Sequence, residues 1–154
     1  MEQKTNINAE EGKQELIITR EFELPLELLF KAYVEPEIVE QWMGTKVLKL
    51  DSKKQGSYQF ETTDPKGNKH RFNGVIHEFS TNQRITRTFE MENTPFDVWL
   101  EFLQFEKLTD DTSKLSMHIV YKSVAQRDQI LQMPFAQGIN WAHNRLQDIV
   151  SKLK

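Results

Sequence analysis

The 154-residue sequence contains no cysteine, and this absence excludes several kinds of site. Disulfide frameworks, cysteine-ligated zinc, iron–sulfur clusters and thiol nucleophiles all require the missing side chain. The longest apolar runs are also far shorter than the about 20 residues that a membrane-spanning helix needs. The first dozen residues are polar and acidic, without the hydrophobic region of a secretory signal. We therefore expect a cytoplasmic protein that does not insert into a membrane.

Motifs for phosphate, metal and nucleophile chemistry are also lacking. The six glycines are dispersed, so neither a phosphate-binding loop nor a dinucleotide fingerprint is present. No Gly-x-Ser-x-Gly elbow occurs, and the four histidines lack the helical i,i+4 spacing of a zinc site. The sequence therefore predicts no metal, no cofactor and no identifiable catalytic residue.

The charge distribution argues against nucleic acid as a partner. The net charge is −3, the pI is about 5.8, and both signs are interspersed along the chain. Some basic residues do fall near predicted strands: Lys53, Lys54, Arg71, Arg84 and Arg87. We interpret them as solvent-facing residues that protect strand edges, with an anion contact as the alternative.

The order of predicted elements is one strand, two short helices, six strands and a long helix. Residues 1–13 read as a disordered leader and residues 14–154 as a single domain. Pro25 and Pro36 each open a short helix, and Gly44 ends the second. Helical spacing returns from Ser123, with an interruption at Pro134. Strands are predicted over residues 15–23, 45–51, 57–62, 71–79, 84–90, 96–107 and 115–121.

The last helix is apolar on one side only. From Phe135 onward, the apolar residues that share this side are Ile139, Ala142, Leu146, Ile149, Val150 and Leu153. Such a helix must lie on a large apolar surface, and one face of the sheet is the available partner. The fold class is therefore α+β, with a curved antiparallel sheet around a long C-terminal helix.

Aromatic residues are abundant, with ten Phe, three Trp and three Tyr, and eight of the ten phenylalanines fall in predicted strands. The strand over 96–107 is apolar on both parities, which indicates that both faces are partly covered or that one face lines an internal space. A curved sheet encloses more volume than one helix fills. These aromatics are therefore candidates for a pocket wall as well as for core packing.

The segment from Glu21 to Trp42 resembles the opening motif of the START-like (helix-grip) superfamily, in its branch related to the activator of heat-shock-protein ATPase. In this motif a strand runs into a Pro-initiated helix with Leu29 and Phe30, then a second Pro-initiated helix that ends in Trp. Further matches are Gly56 with Tyr58 and Phe60, Gly74 with Ile76 and Glu78, and Gly138-Ile139-Asn140-Trp141 followed by Arg145-Leu146.

The resemblance covers about residues 14–153 and implies a deep cavity between the sheet and the C-terminal helix. Members of the superfamily bind lipids, sterols or polyketides, and a few are cyclases or hydrolases. The sequence departs from the family at the Arg-Pro-Gly-Gly turn, which is Lys54-Gln55-Gly56-Ser57 here. Eukaryotic co-chaperones of this branch carry a further N-terminal domain, whereas about a dozen polar residues precede the predicted fold.

Three functional hypotheses follow. The leading one is a non-enzymatic binding module for a small hydrophobic molecule, aromatic or lipid-like, without a known protein partner. Its candidate ligand-binding residues are Trp42, Tyr58, Phe60, Ile76, Trp99, Met117, Met133, Phe135 and Ile139. The second is a START-like enzyme of the cyclase or hydrolase type, with His77, Glu78 or Tyr121 as acid–base candidates. The third is an interaction protein associated with a chaperone ATPase.

Overall fold

A computed structural model describes residues 4–154. Eight strands form one antiparallel sheet in the order β1-β2-β8-β7-β6-β5-β4-β3. The strands are β1 (Asn6–Asn8), β2 (Glu15–Phe22), β3 (Lys46–Leu50), β4 (Ser57–Thr63), β5 (Lys69–Ser80), β6 (Arg84–Met91), β7 (Trp99–Lys107) and β8 (Ser113–Val120). The predicted meander of six strands is therefore confirmed as β3 to β8.

Four helices accompany the sheet: α1 (Leu26–Val34), α2 (Pro36–Met43), α3 (Val124–Gln132) and α4 (Phe135–Ser151). Pro36 occupies the first turn of α2, where its missing N–H removes no intrahelical hydrogen bond. Gly44 ends α2 with φ at 63°, a conformation that glycine adopts without steric cost. These boundaries and the break at Pro134 agree with the sequence prediction, and the α+β helix-grip architecture is confirmed.

The prediction of a disordered leader is wrong for part of its length. Residues 6–8 form β1, which pairs antiparallel with β2, so that Asn6 opposes Thr19 and Asn8 opposes Ile17. Thr5, which precedes β1, contacts α4 as well, because its backbone N–H donates to Asn140 Oδ1 at 3.1 Å. The segment is polar, and backbone pairing together with side-chain hydrogen bonds holds it where apolar burial cannot. Residues 1–3 of the predicted leader lie outside the described residues.

The helices close one face of the sheet. Leu146 and Val150 of α4 are fully buried, as the one-sided pattern of this helix predicts. Leu153, assigned to the same side, is exposed because α4 ends at Ser151. Arg145 joins α4 to α2 by donating to the backbone carbonyls of Gln41 and Trp42, at 2.8 and 3.2 Å. These carbonyls belong to the last turn of α2, which has no intrahelical donors for them.

Strand β7 shows why its sequence is apolar on both parities. Trp99, Leu103 and Phe105 are buried and face the helices. Phe102 and Val98 lie on the opposite side and keep 37% and 47% of their surface exposed. The strand is therefore covered on one face only, and the second of the two sequence-based interpretations applies: the inner face lines an internal space.

Candidate functional site

A cavity of about 230 Å³ lies between the inner face of the sheet and the helices. The sheet contributes Phe60, Phe89, Trp99, Met117 and Ile119 to its wall, and Tyr121 follows directly after β8. The helices contribute Tyr33 from α1, Val39, Trp42 and Met43 from α2, and Phe135, Ile139, Ala142 and His143 from α4. The wall is mostly apolar and aromatic, which is the composition of small-molecule sites.

A chain of aromatic contacts runs along the sheet side of this cavity. Phe89 and Trp99 stack with their ring centroids 4.9 Å apart and their planes 17° from parallel. Phe72 continues the chain beyond Phe89 at 5.6 Å, and Tyr121 continues it beyond Trp99 at 5.3 Å. Each ring therefore packs against the next, from β5 through β6 and β7 to Tyr121 directly after β8.

Two ionised side chains, Arg87 and Glu101, also line the cavity. They are partners in the register of β6 and β7, and Arg87 Nε donates to Glu101 Oε1 at 2.9 Å. Both residues are buried, with 9% and 5% of their surface exposed. A buried charge requires a partner with good hydrogen-bond geometry, and each residue supplies that for the other.

Neighbouring aromatic groups complete this ion pair. Trp99 Nε1 donates to Glu101 Oε2 at 3.0 Å, so each carboxylate oxygen accepts a hydrogen bond. The guanidinium of Arg87 lies over the ring of Tyr58, 5.3 Å from its centroid. Burial is the largest single effect on the pKa of Arg87 and lowers it, but the charge and hydrogen bond of Glu101, together with Tyr58 and Tyr33, outweigh burial, so the pKa is raised. Arg87 is therefore charged at every physiological pH.

Several hydrogen-bond donors on the cavity wall are unused. Arg87 donates from Nε alone, and within residues 4–154 its Nη1 and Nη2 form no hydrogen bond. The hydroxyls of Tyr33 and Tyr121 likewise have no hydrogen-bond partner among the described residues. Burial raises the pKa of both tyrosines, so these hydroxyls stay protonated and can donate.

His143 forms the polar corner of the cavity on α4. It is 1% exposed, and its Nδ1 lies 2.7 Å from Thr5 Oγ1. Burial, with a smaller contribution from the charge of Arg20, lowers the pKa of His143 to about 3. The imidazole is therefore neutral at neutral pH, and Arg87 and Glu101 are the ionised groups on the described wall.

A second hollow of about 270 Å³ adjoins the cavity at the junction of α3 and α4. It shares Phe89, Trp99 and Phe135 with the first, and it adds Phe72, Met91, Ile130, Met133 and Pro134. Met133 is 44% exposed, so the hollow lies at the surface. The three shared rings therefore border both spaces.

The structure brings six of the nine predicted ligand-binding residues together on the cavity wall. They are Trp42, Phe60, Trp99, Met117, Phe135 and Ile139. Tyr58 and Ile76 are buried in the core without lining the cavity, and Met133 lies in the adjoining hollow. Tyr58 is turned away because its hydroxyl donates to the carbonyl of Thr88 across β5.

The three acid–base candidates are separated. Tyr121 lies on the cavity wall, whereas His77 is exposed on β5. Glu78 is half-buried and is bound by Arg84, with Arg84 Nε 3.2 Å from Glu78 Oε2.

Within residues 4–154, no set of three His, Asp or Glu side chains is placed to hold a metal ion. None of the described helices has the length and apolar character to span a membrane.

The interpretation of Arg87 as a solvent-facing residue is wrong, because its side chain points into the cavity. A signal for this position exists in the sequence. Arg87 shares its parity with the buried Ile85 and with Phe89, and Glu101 shares its parity with Trp99 and Leu103. A single charge of opposite sign on the apolar parity of each of two adjacent strands predicts a buried cross-strand pair.

Comparison with known proteins gives a consistent family and fold. The family profile described as "Activator of Hsp90 ATPase homolog 1-like protein" matches residues 23–151. No curated protein matches the chain. Three solved structures are similar along nearly the whole of both chains, and their low identities make them evidence for the fold alone.

The first is a Rhodobacter sphaeroides protein, with a TM-score of 0.87, 19% identity and coverage of 97% of this chain and 99% of that one. The second is a Mycobacterium smegmatis protein, with a TM-score of 0.84, 21% identity and coverage of 95% and 96%. The third is a Staphylococcus epidermidis protein, with a TM-score of 0.82, 19% identity and coverage of 97% and 95%.

Proposed function

The chain belongs to the activator of Hsp90 ATPase homolog 1-like family, and on that premise we propose that it binds a small hydrophobic molecule, aromatic or lipid-like, in the inner cavity. The observation that supports this most is the wall itself, which encloses about 230 Å³ between stacked aromatic rings of the sheet and the apolar side of α4. An apolar cavity of roughly 150 Å³ already holds benzene, so this volume accommodates a substituted ring.

The enclosing rings favour a flat ligand. Phe89 of β6, Trp99 of β7 and Tyr121 directly after β8 all line the cavity, and an aromatic ligand gains both buried area and ring–ring contact there. A lipid-like chain would instead contact the apolar side chains of α4 and β8 that line the inner cavity, such as Ile139, Met117 and Ile119. Both ligand types bury apolar surface, which stabilises a complex by about 25 cal/mol for each Å² removed from water.

Cavity filling tests this function. Ala142→Phe places a ring inside the wall, whereas Ala136→Phe places the same ring on the exposed side of the same helix. Titrating each variant with 2-acetylnaphthalene, followed by amide shifts and tryptophan fluorescence, should show binding by the unmodified chain and by Ala136→Phe. Ala142→Phe should weaken binding at least about tenfold. Equal binding by both variants would place the ligand elsewhere.

The enzyme hypothesis has Tyr121 as its candidate on the cavity wall. The raised pKa of this tyrosine makes its hydroxyl a hydrogen-bond donor at neutral pH and a poor general base.

The interaction hypothesis concerns the outer face of the sheet, where the exposed Ile17 and Phe102 both oppose His118 in the strand register. If the immobilised chain captures no stable protein partner, that result would argue against the interaction hypothesis.

A further inference from the structure

The ion pair in the cavity wall indicates what the ligand carries. Resting on the proposed function, we propose that the ligand is an uncharged ring compound with a carbonyl oxygen, such as a ketone, aldehyde, quinone or ester. The Arg87 guanidinium binds that oxygen, and the hydroxyls of Tyr33 and Tyr121 are further donors on the same wall.

Donors are in excess at this end of the cavity. A guanidinium carries five N–H groups, and Arg87 uses the one on Nε for Glu101. The four on Nη1 and Nη2 have no acceptor within residues 4–154, and neither nitrogen is among the fully buried atoms, so both are open to the cavity that Arg87 lines. A charged donor that faces a cavity needs an acceptor, so a ligand that displaces water from these nitrogens must itself supply one.

The acceptors on the wall are fewer, and each already has at least one partner. Glu101 Oε1 accepts from Arg87, and Glu101 Oε2 accepts from Trp99. His143 Nδ1 is within hydrogen-bond distance of Thr5 Oγ1. A ligand therefore gains most by presenting an oxygen that accepts, and it gains less by presenting an N–H or O–H that donates.

Charge decides between a carbonyl and a carboxylate. The charges of Arg87 and Glu101 cancel, and none of the other residues that line the cavity is charged, because Tyr33, Tyr121 and His143 are neutral and the rest are apolar. An anionic ligand would lose its hydration without meeting a net positive charge, and it would lie beside the Glu101 carboxylate. A carbonyl oxygen avoids both costs while still accepting a charge-assisted hydrogen bond from the guanidinium.

Three probes with the same ring system test this directly on the full, unmodified chain. The probes are 2-acetylnaphthalene, the isosteric hydrocarbon 2-isopropenylnaphthalene, and 2-naphthoate as the anion. The hydrocarbon leaves the Arg87 donor without an acceptor, and one such lost hydrogen bond changes affinity by about tenfold. The ketone should therefore bind about tenfold more tightly than the hydrocarbon. The naphthoate should bind no more tightly than the ketone.

The outcomes separate the two proposals. Equal affinity for ketone and hydrocarbon would overturn the carbonyl assignment and leave hydrophobic binding intact. Tightest binding of the naphthoate would also overturn it, because the site would then be an anion site. Binding of none of the three probes would overturn both proposals.

A variant pair assigns the preference to Arg87. Arg87→Met with Glu101→Gln removes both charges together and keeps an acceptor for Trp99, so the ketone and hydrocarbon affinities should converge to within about twofold. The matched control is Arg84→Met with Glu78→Gln, which removes an exposed ion pair from β6 and β5. This control should keep the tenfold preference. The probe comparison on the unmodified chain decides the proposal even where the first variant fails to fold.

Discussion

Arg87 and Glu101 oppose each other across β6 and β7, with 2.9 Å between Nε and Oε1, in a cavity wall that is otherwise largely apolar. The pair is in register, so both side chains leave the sheet on the same face and at the same level. Trp99 donates a hydrogen bond to the other carboxylate oxygen of Glu101. The Nη groups of the Arg87 guanidinium form no hydrogen bond with the described residues. The pair therefore orients one charged donor group towards the enclosed space.

Removing one member of this pair should destabilise the fold strongly. Arg87→Met leaves Glu101 as an uncompensated buried charge, and we expect the free energy of unfolding to fall by about 3–5 kcal/mol. The double variant with Glu101→Gln should recover most of that loss, because no buried charge remains. Urea unfolding followed by far-UV circular dichroism measures both. Arg84→Met is the control, and its exposed ion pair should contribute less than about 1 kcal/mol.

Gly74 should not tolerate a side chain. A Cβ atom there would lie 2.1 Å from the Thr88 carbonyl oxygen and 2.3 Å from the Tyr58 ring, so Gly74→Ala must displace a strand or the ring under Arg87. We expect a loss of about 1–3 kcal/mol in the free energy of unfolding. The same substitution at Gly138 in α4 meets nothing within 4 Å and should stabilise by about 0.5–1 kcal/mol. Effects of the same sign at both positions would contradict this account.

Trp42 anchors α2 to α1 through its indole. Its Nε1 donates to the carbonyl of Ala32 at 2.6 Å, and the side chain is buried. Trp42→Phe leaves that carbonyl without its donor and should lower the free energy of unfolding by about 1–3 kcal/mol. Trp141→Phe replaces a tryptophan that is 60% exposed and should change stability by less than about 0.5 kcal/mol. Thermal or urea unfolding of the two variants makes the comparison.

His143 should make stability depend on pH. Its pKa in the folded chain is about 3, below the 6.5 expected when unfolded, so between these values the unfolded state binds more protons. The free energy of unfolding is therefore unaffected by protonation of His143 above about pH 6.5, and it decreases as the pH falls from 6.5 towards 3. Between pH 7 and pH 5 the loss should be about 2 kcal/mol, and His143→Gln should lack it. Parallel pH profiles for the two proteins would show that His143 does not titrate in this way.

The order of the elements could be predicted from the sequence because its signals are local. Pro25, Pro36 and Gly44 mark helix ends through their own backbone preferences, and the alternation of Leu115, Met117 and Ile119 assigns the inner face of β8. The strand β1 could not be predicted in this way. Its residues are polar, and what holds them is pairing with β2 and hydrogen bonds to residues distant in sequence.

The cavity wall could be predicted only in part, because parity identifies the inward face but not what lies over each residue. Tyr58 and Ile76 have the inward parity, yet they are packed in the core and do not line the cavity. Arg87 and Glu101 were missed for a different reason. Charged strand residues are usually solvated, so the position of both charges on the apolar parity of their strands is easily overlooked, and the register of β6 with β7 then shows that the two side chains meet.

Ligand binding in the cavity can be located by intermolecular nuclear Overhauser effects between 2-acetylnaphthalene and the methyl groups of the full chain. Met117 and Ile119 have inward methyls on β8, and Ile17 and Val98 have exposed methyls on the outer face of the same sheet. We predict contacts from the probe to Met117, Ile119 and Ile139 of α4, and none to Ile17 or Val98. Contacts confined to Ile17 and Val98 would contradict ligand binding in the cavity.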